Sequence, residues 1–424
     1  MTIWKRHRPS FGFVSTRFAG TDGVSLETQK WVDVLTGKGC DVCYLAGKLD
    51  TDPDRSHFVP RAFFQHPEIL DIQKTLFVEK RRTPAVTRRI FELKEELKRE
   101  LEAFHRRFKF EILVVQNMLS LPVNIPLSLA IAEYILETGI ATIAHHHDFY
   151  WERQRYYGFA ALDYLRQAFP PLHPSVQHVV INSIAGQELG RRTGVSWLLI
   201  PNVLDFKSLP PEIDDYTGDF KAEIGLDEDT FVVLQPTRIV PRKGIETAIE
   251  VVKRLDKPKS VLIISHEAGD EGLSYQKRIL QYARFLGVDL RIIADRIADT
   301  RKIDPSGRKL FTLWDVYPHA DLVTYPSTYE GFGNAFVEAI YFRKPIIVNE
   351  YSIFEADIEP KGFDVISFSG FITDETVHGI KQLIGDPERL AAMVETNYML
   401  GWRYLSYEAL EEKLEQMLIN YYGS

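Results

Sequence analysis

Two acidic residues, Glu330 and Glu338, bound the stretch Glu330-Gly-Phe-Gly-Asn-Ala-Phe-Val-Glu338. Their spacing alone carries little information, because helices are rich in glutamate. Their context is more informative: the apolar run Leu322–Tyr325, which predicts a strand, ends shortly before Glu330, and a predicted helix begins at Asn334. The intervening glycines let the backbone approach a ligand, and the free N–H groups of a helix N-terminus favour an anion. The stretch therefore predicts two hydroxyl-binding carboxylates beside a diphosphate, as in a sugar nucleotide.

A second candidate set lies in the loop after the apolar run Phe231–Leu234. This loop contains Arg238, Arg242 and Lys243, and Gly244 leads into the next predicted helix. If the run is a neighbouring strand of the same sheet, Arg238 and Lys243 can neutralise a departing diphosphate. Taken alone, the loop is equally well explained as a solvated basic turn.

Two weaker motifs occur in the first half of the chain. The turn Ala19-Gly20-Thr21-Asp22-Gly23 lies between a predicted strand and a helix but lacks full Gly-x-Gly-x-x-Gly spacing, so it only weakly indicates dinucleotide binding. His145, His146 and His147 follow the apolar run Ile140–Ile143. Consecutive histidines cannot all face one ligand, so we predict no metal site and expect one histidine to contact a sugar hydroxyl.

The elements that must position these residues alternate between short apolar runs and stretches with helical spacing, which predicts parallel sheets covered by helices. The pattern restarts after Pro201, which predicts a second doubly wound domain. We therefore expect domains over 1–205 and 206–400, followed by a helix over 401–424. The predicted strands are Phe11–Val14, Val42–Leu45, Ile112–Val115, Ile140–Ile143, Val179–Ile181, Trp197–Ile200, Phe231–Leu234, Ser260–Ile264, Leu290–Ile293, Leu322–Tyr325 and Pro345–Val348.

The segment 74–109 interrupts this alternation with twelve Lys or Arg residues and six Glu residues, a local charge of +6. Leu93, Leu97 and Leu101 recur at helical spacing, which predicts a helix with one apolar stripe and a basic face. A solvated helix packed on the N-terminal sheet is the favoured interpretation. Acceptor binding and peripheral membrane contact remain open.

Composition restricts the class of protein. With 45% hydrophobic and 26% charged residues the chain is typical of a soluble globular protein, and its net charge of −8 argues against a nucleic-acid binder. Cys40 and Cys43 flank a predicted strand start, so we expect buried, unreactive thiols. The polar start does not resemble a signal peptide, and no run reaches the roughly 20 apolar residues of a membrane span, so we expect a cytoplasmic protein.

Together the motifs resemble the retaining glycosyltransferase family 4, the glycosyl transferases group 1. The resemblance is carried by Glu330–Ile340, Arg238–Gly244, Ile200–Asp205 and Tyr317–Ser327. It implies the GT-B fold, in which two Rossmann-like domains face each other across a cleft and a C-terminal helix returns to the N-terminal domain. It also implies transfer of a hexose from a nucleotide-diphosphate sugar, of the UDP-glucose or GDP-mannose type, to a sugar, sugar-acid or glycan hydroxyl.

The resemblance implies a role for each candidate residue. Glu338 would bind the nucleotide ribose, and Glu330 the hydroxyls of the donor sugar. His147, or less favourably His146, would contact the transferred sugar. Diphosphate ligands would be the side chains of Arg238 and Lys243, with backbone N–H groups near Gly23 and around Gly333, Asn334, Ala335 and Phe336. The predicted catalytic set is thus Glu330, Arg238, Lys243 and His147, and no acceptor-binding residue is predicted.

The implied chemistry is front-face attack, in which the leaving diphosphate accepts the proton of the acceptor. No pair of carboxylates is placed as in a retaining hydrolase, so stabilising the diphosphate becomes the main catalytic task. Neither a metal nor another cofactor is expected. The alternative is a non-catalytic sugar-nucleotide-binding or scaffold protein of the same fold, and a dinucleotide oxidoreductase is disfavoured.

Overall fold

Two parallel sheets organise the chain, each within its own unit. The computed structural model describes residues 4, 7–20, 22–268 and 273–423. The first unit is Met1–Val203 with Tyr407–Ser424, and the second is Leu204–Ser406. Thr21 of the predicted glycine turn lies outside the described residues, as does much of the polar start, namely residues 1–3, 5 and 6.

The described part of the first unit contains a seven-stranded parallel sheet in the order β3-β2-β1-β4-β5-β6-β7. The central strands are buried along their whole length because helices cover both faces. The strands are β1 Phe11–Val14, β2 Val42–Ala46, β3 Ser56–Phe58, β4 Ile112–Gln116, β5 Ala141–His146, β6 Val176–Val180 and β7 Trp197–Leu199. The helices are Gly23–Gly37, Pro67–Gln73, Pro84–Phe108, Ile125–Thr138, Leu162–Ala168, Ser183–Thr193 and Tyr407–Tyr422.

The helix Tyr407–Tyr422 packs on one face of this first sheet. Its Leu410, Leu414 and Met417 are fully buried in one apolar cluster with Phe13 of β1 and Trp31. The expected return of a C-terminal helix to the N-terminal unit is therefore confirmed. The helix begins six residues later than position 401, because Pro387–Leu405 forms a separate helix of the second unit.

The basic segment 74–109 contains the helix Pro84–Phe108, which begins with Thr83 accepting a hydrogen bond from the Val86 amide and a proline in the first turn. Its apolar stripe is buried against the other face of the sheet. Lys94 and Lys98 both contact Glu133 of the neighbouring helix, the latter at 2.8 Å. These ion pairs support the interpretation of a packed helix. None of the described helices is long and apolar enough to cross a membrane.

The described part of the second unit contains a six-stranded parallel sheet in the order β10-β9-β8-β13-β14-β15 and a small antiparallel hairpin, β11-β12. The strands are β8 Phe231–Gln235, β9 Ser260–Ile264, β10 Asp289–Ile292, β11 Lys302–Ile303, β12 Lys309–Leu310, β13 Leu322–Tyr325, β14 Ile346–Asn349 and β15 Ile366–Phe368. The helices are Phe220–Glu223, Ile245–Leu255, Leu273–Leu286, Leu313–Val316, Asn334–Tyr341, Asp374–Ile384 and Pro387–Leu405.

Two such doubly wound sheets confirm the expected fold class. In the second sheet the chain runs from β8 outward through β9 to β10, then returns to β13 on the other side of β8 and continues outward through β14 to β15. Ligands of open α/β sheets bind at such a switch point, outside the carboxyl ends of the strands. The loops after β8 and β13 are therefore adjacent at the edge where a ligand is expected.

Candidate active site

The loops after β8 and β13 are held together at the carboxyl edge of the second sheet. The Thr328 amide donates to the Arg242 carbonyl at 2.8 Å. Gly244 has a φ of +60°, and a Cβ added there would lie 2.2 Å from the Pro326 carbonyl oxygen. Only glycine fits this close contact, so the backbone itself brings the cationic loop next to Glu330.

Glu330 forms two ion pairs with this cationic loop. Its carboxylate accepts hydrogen bonds from the Lys243 ammonium and, at 3.0 Å, from the Arg242 guanidinium. Burial alone would raise the pKa of Glu330, but the two cations outweigh it and hold the pKa below its usual value. Glu330 is thus a buried carboxylate held in its ionised, hydrogen-bond-accepting form.

The contact between Lys243 and Glu330 refines the prediction that Lys243 faces a diphosphate. The ammonium neutralises the Glu330 carboxylate of its own unit, and it lies 5.5 Å from the centre of the Tyr325 ring. Arg238 has an exposed side chain with no hydrogen bond to another described residue. Arg242 is the second cation that contacts Glu330, and the sequence did not single out this contact. Glu330, Lys243 and Arg242 together form one cluster.

Glu338 lies on the helix Asn334–Tyr341, one turn beyond its N-terminus. Its Oε2 accepts a hydrogen bond from the Tyr317 hydroxyl at 2.7 Å. Tyr317 is fully buried, with its ring stacked on that of Phe342. Burial raises the pKa of the Tyr317 hydroxyl, so this group remains a donor and fixes one oxygen of Glu338.

The first turn of this helix is closed by a backbone hydrogen bond. The Phe336 amide donates to the Gly333 carbonyl at 3.0 Å, and the role of Phe336 as a diphosphate ligand stays a prediction. Gly333 has a φ of +128°, and a Cβ there would lie 2.6 Å from the Tyr351 hydroxyl. Diphosphate binding by the amides of Asn334 and Ala335 stays a prediction.

A histidine that the sequence reasoning missed lies in the loop directly after β9. His266 follows β9, and its Nδ1 is 2.8 Å from the Ser265 hydroxyl oxygen. Burial, together with the nearby Lys243 and Arg238, lowers the pKa of His266 to about 4. The imidazole is therefore neutral at pH 7. The sequence signal that could have identified His266 is its position directly after the predicted strand Ser260–Ile264.

In the first unit, the three consecutive histidines have different environments. His145 stacks on Trp31 with ring centres 4.4 Å apart, and His146 lies 3.0 Å from the His178 ring nitrogen. Both are fully buried, whereas His147 is partly exposed and its Nε2 lies 3.2 Å from Gln116 Oε1. Of the three, His147 is the one that a ligand can reach.

Burial lowers the pKa of His147 to about 4, so this side chain is neutral at pH 7. Its backbone N–H donates to the Asn117 side chain at 3.0 Å, which fixes the start of the loop after β5. Gly23 begins the helix Gly23–Gly37, where Asp22 accepts hydrogen bonds from the Val24 and Ser25 amides. Because the Val24 and Ser25 amides are engaged, Gly23 is the candidate diphosphate ligand among the amides of residues 23–25.

Residues 306–399 match the family model described as "Glycosyl transferases group 1". The chain is 33% identical over 384 residues to mannosylglucosylglycerate synthase from Petrotoga mobilis, with 84% of this chain and 86% of the relative covered. It is 32% identical over 434 residues to the mannosylglucosylglycerate synthase of Thermotoga maritima, with 94% and 97% covered. The chain belongs to glycosyl transferases group 1.

Solved structures agree with this assignment at the level of the fold. Sucrose-phosphate synthase from Thermosynechococcus elongatus matches with a TM-score of 0.65 at 15% identity, covering 98% of this chain and 99% of that one. HepE from Anabaena, in complex with UDP and glucose, matches with a TM-score of 0.64 at 14% identity, covering 97% and 100%. The protein is thus a group 1 glycosyltransferase of GT-B fold that uses a nucleotide-sugar donor.

For a group 1 glycosyltransferase, the cluster of Glu330, Lys243 and Arg242 combines the two functions a donor site needs. Its carboxylate accepts hydrogen bonds from hydroxyls, and its two cations attract a diphosphate. Among the residues that the structure describes, no group of three or more His, Cys, Asp or Glu side chains is arranged to hold a metal ion. The buried Cys40 and Cys43 are free thiols whose pKa values burial raises to about 11 and about 12.

Proposed function

We propose that this glycosyltransferase moves a mannosyl group, with retention of configuration, from GDP-mannose to a hydroxyl of glucosylglycerate. The observation that carries the transfer chemistry is the Glu330–Lys243–Arg242 cluster at the carboxyl edge of the second sheet. The names of the two relatives, which are matched along most of both chains, support the sugar and the acceptor class.

The ionised state of Glu330 bears on its role. A carboxylate whose pKa is lowered by two cations is a poor proton donor at neutral pH, so Glu330 does not act as a general acid. It accepts hydrogen bonds from the hydroxyls of the donor sugar instead. Lys243 and Arg242 both contact Glu330. A nucleotide sugar whose hydroxyls bind Glu330 would therefore have both cations beside its sugar and its diphosphate.

Departure of the diphosphate is the step that the cations stabilise. Arg238, Lys243 and the helix N-terminus at Asn334 and Ala335 would lower the energy of the developing negative charge. The diphosphate then accepts the proton of the attacking hydroxyl, and the new bond forms on the face from which the diphosphate leaves. Glu338, fixed by Tyr317, would bind the ribose of the nucleotide, and His147 the transferred sugar.

The test is incubation of the protein with glucosylglycerate and either GDP-mannose or UDP-glucose, with the product analysed by mass spectrometry and by NMR of its anomeric proton. We expect an α-linked mannosyl product from GDP-mannose. Glu330→Gln should lower kcat by about 100-fold, comparable to the loss of one transition-state hydrogen-bond donor. Glu212→Gln, which changes an exposed carboxylate of the same unit, is the matched control and should leave kcat unchanged.

Two results would contradict the proposal. Tight nucleotide-sugar binding with neither transfer nor slow hydrolysis would indicate a non-catalytic binding protein. A β-linked product would show inversion, and front-face attack would then be wrong.

A further inference from the structure

We propose that Arg17 and Phe64 form a subsite of the first unit that binds the carboxylate end of a sugar-acid acceptor. This inference rests on the proposed function, because it assigns the residues that distinguish an acid acceptor from a neutral one. Sequence reasoning identified no acceptor-binding residue, and neither of these side chains was singled out by it.

Both residues lie at the carboxyl edge of the first sheet. Arg17 follows β1, and Phe64 follows β3, at the same edge as His147 after β5. The guanidinium carbon of Arg17 lies 5.5 Å from the centre of the Phe64 ring, within the distance of a cation–π interaction. The ring is partly exposed, so it also offers an apolar face on which the C–H groups of a sugar can pack.

The backbone around Arg17 is held by its neighbours. The Gly47 amide donates to the Thr16 carbonyl at 3.1 Å, and the Phe18 amide donates to the Lys48 carbonyl at 2.9 Å. These two hydrogen bonds flank Arg17 and join its loop to the end of β2. The side chain therefore projects from a fixed segment, which lowers the entropy cost of binding a ligand.

The guanidinium of Arg17 is only partly engaged. Its Nε lies 3.0 Å from Asp22 Oδ2, and about a third of the side chain is exposed. Neither of its two η nitrogens donates a hydrogen bond to a described residue. Those nitrogens carry four N–H groups and form the edge of the guanidinium that binds a carboxylate through two parallel hydrogen bonds.

Other arginines at this edge use the same nitrogens differently. Arg61 donates from its η nitrogens to Glu96 and Glu68, the latter at 3.2 Å. Arg153 places Nη2 at 2.8 Å from Asp148. Each of these arginines directs at least one η nitrogen to a carboxylate of the first unit. In Arg17 the nitrogen closest to the partner carboxylate is Nε.

The negative charge of Asp22 is the main opposing feature, because a carboxylate near Arg17 repels an acidic ligand. Asp22 also accepts hydrogen bonds from the Ser25 hydroxyl at 2.5 Å and from the Val24 and Ser25 amides. These donors and the positive end of the helix Gly23–Gly37 offset part of its charge. The subsite therefore recognises an acid through the geometry of the guanidinium more than through net charge.

The experiment compares two acceptors with the same donor: glucosylglycerate, and glucosylglycerol, in which a hydroxymethyl group replaces the carboxylate. For Arg17→Gln we expect the acceptor KM to rise by about 10- to 100-fold for the acid and to change little for the neutral acceptor. The donor KM should stay within about twofold. Arg17→Lys keeps the charge but lacks the two parallel donors of the guanidinium. Its KM for the acid should lie between those of wild type and Arg17→Gln.

Arg55→Gln is the matched control. Arg55 pairs with Asp41 at 2.8 Å at the opposite edge of the same sheet, where β2 and β3 begin. Its substitution should not alter the ratio of acid to neutral acceptor. Equal losses with both acceptors in Arg17→Gln, or a raised donor KM, would overturn the inference while leaving the transfer reaction intact.

Failure of the proposed function is recognised separately. If wild type transfers to neither acceptor, equilibrium titration of glucosylglycerate into wild type and Arg17→Gln still decides the role of Arg17. Binding that is lost only in the variant supports the subsite without the proposed reaction. Absence of binding to wild type, or equal binding by both proteins, rejects it.

Discussion

Replacing Lys243 by methionine tests the buried ion pair with Glu330 most directly. The change removes the ammonium and keeps most of the side-chain volume, so Glu330 remains as a buried carboxylate with Arg242 as its charged partner at 3.0 Å. Removing one partner of a buried pair usually costs about 3–5 kcal/mol, because a charge is left uncompensated. The remaining guanidinium compensates part of it, so we expect a loss of about 2–3 kcal/mol at pH 7.

The pH dependence of this loss follows from the pKa of Glu330. In wild type the cations lower this pKa below the usual 4.5. A carboxyl group with a lowered pKa stabilises the folded chain above its unfolded pKa, and that contribution disappears as the pH falls through its folded pKa. Without Lys243, burial should raise the pKa of Glu330. The penalty of Lys243→Met should then shrink as the pH falls toward 4.5, because Glu330 can take up a proton in the variant.

The measurement is urea unfolding of wild type and variant at pH 7 and at pH 4.5, with the midpoint and slope fitted for each transition. Lys259→Met is the control, because Lys259 forms an exposed pair with Asp229 in the same unit. It should leave stability nearly unchanged. A second comparison adds Glu330→Gln to Lys243→Met, which should recover part of the lost stability because the buried carboxylate is then removed, and the Arg242 left without it is partly exposed to solvent. Equal losses for Lys243→Met at both pH values would refute this reasoning.

Three further predictions concern the sites. Tyr317→Phe removes the hydrogen bond to Glu338 and should raise the donor KM by about tenfold with little change in kcat, since a hydrogen bond to a charged group contributes about 1.5–3 kcal/mol; a change in kcat alone would exclude this role. Gly244→Ala should lower stability by about 1–3 kcal/mol in thermal unfolding, because its Cβ would collide with the Pro326 carbonyl; an unchanged Tm would contradict the tight contact. Because the pKa of His147 is about 4, the pH profile of the transfer rate should show no inflection near pH 6.5. An inflection there that His147→Ala abolishes would show that the prediction is wrong.

The sequence predicted the architecture well because both sheets are buried on two faces. Apolar runs such as Phe231–Leu234 and Leu322–Tyr325 become β8 and β13 almost residue for residue. Placing Glu330 after one strand and Lys243 after its neighbour also predicted that the two would be close. Local patterns contain this information, since hydrophobic runs fix the strands and loops must then leave at their ends.

Side-chain pairing was less accessible to sequence reasoning. That Lys243 binds Glu330 depends on the close approach of the two loops at Gly244, which no local pattern specifies. The hydrogen bond from the Phe336 amide to the Gly333 carbonyl is likewise not specified by a local pattern. His147 and His146 cannot be told apart from the sequence, and they differ in what packs beside them: His146 contacts His178 of the neighbouring strand β6.

The helix Tyr407–Tyr422 also affects the order in which the protein folds during synthesis. It fills part of the core of the first unit, yet the ribosome makes it only after all of residues 204–406. At about 5–20 residues per second, roughly 10–40 s separate the emergence of Val203 from that of this helix. The second unit is one uninterrupted stretch and can fold during that interval. Until residues 407–422 are made, the apolar surface of the first unit around Phe13 and Trp31 lacks the helix that covers it.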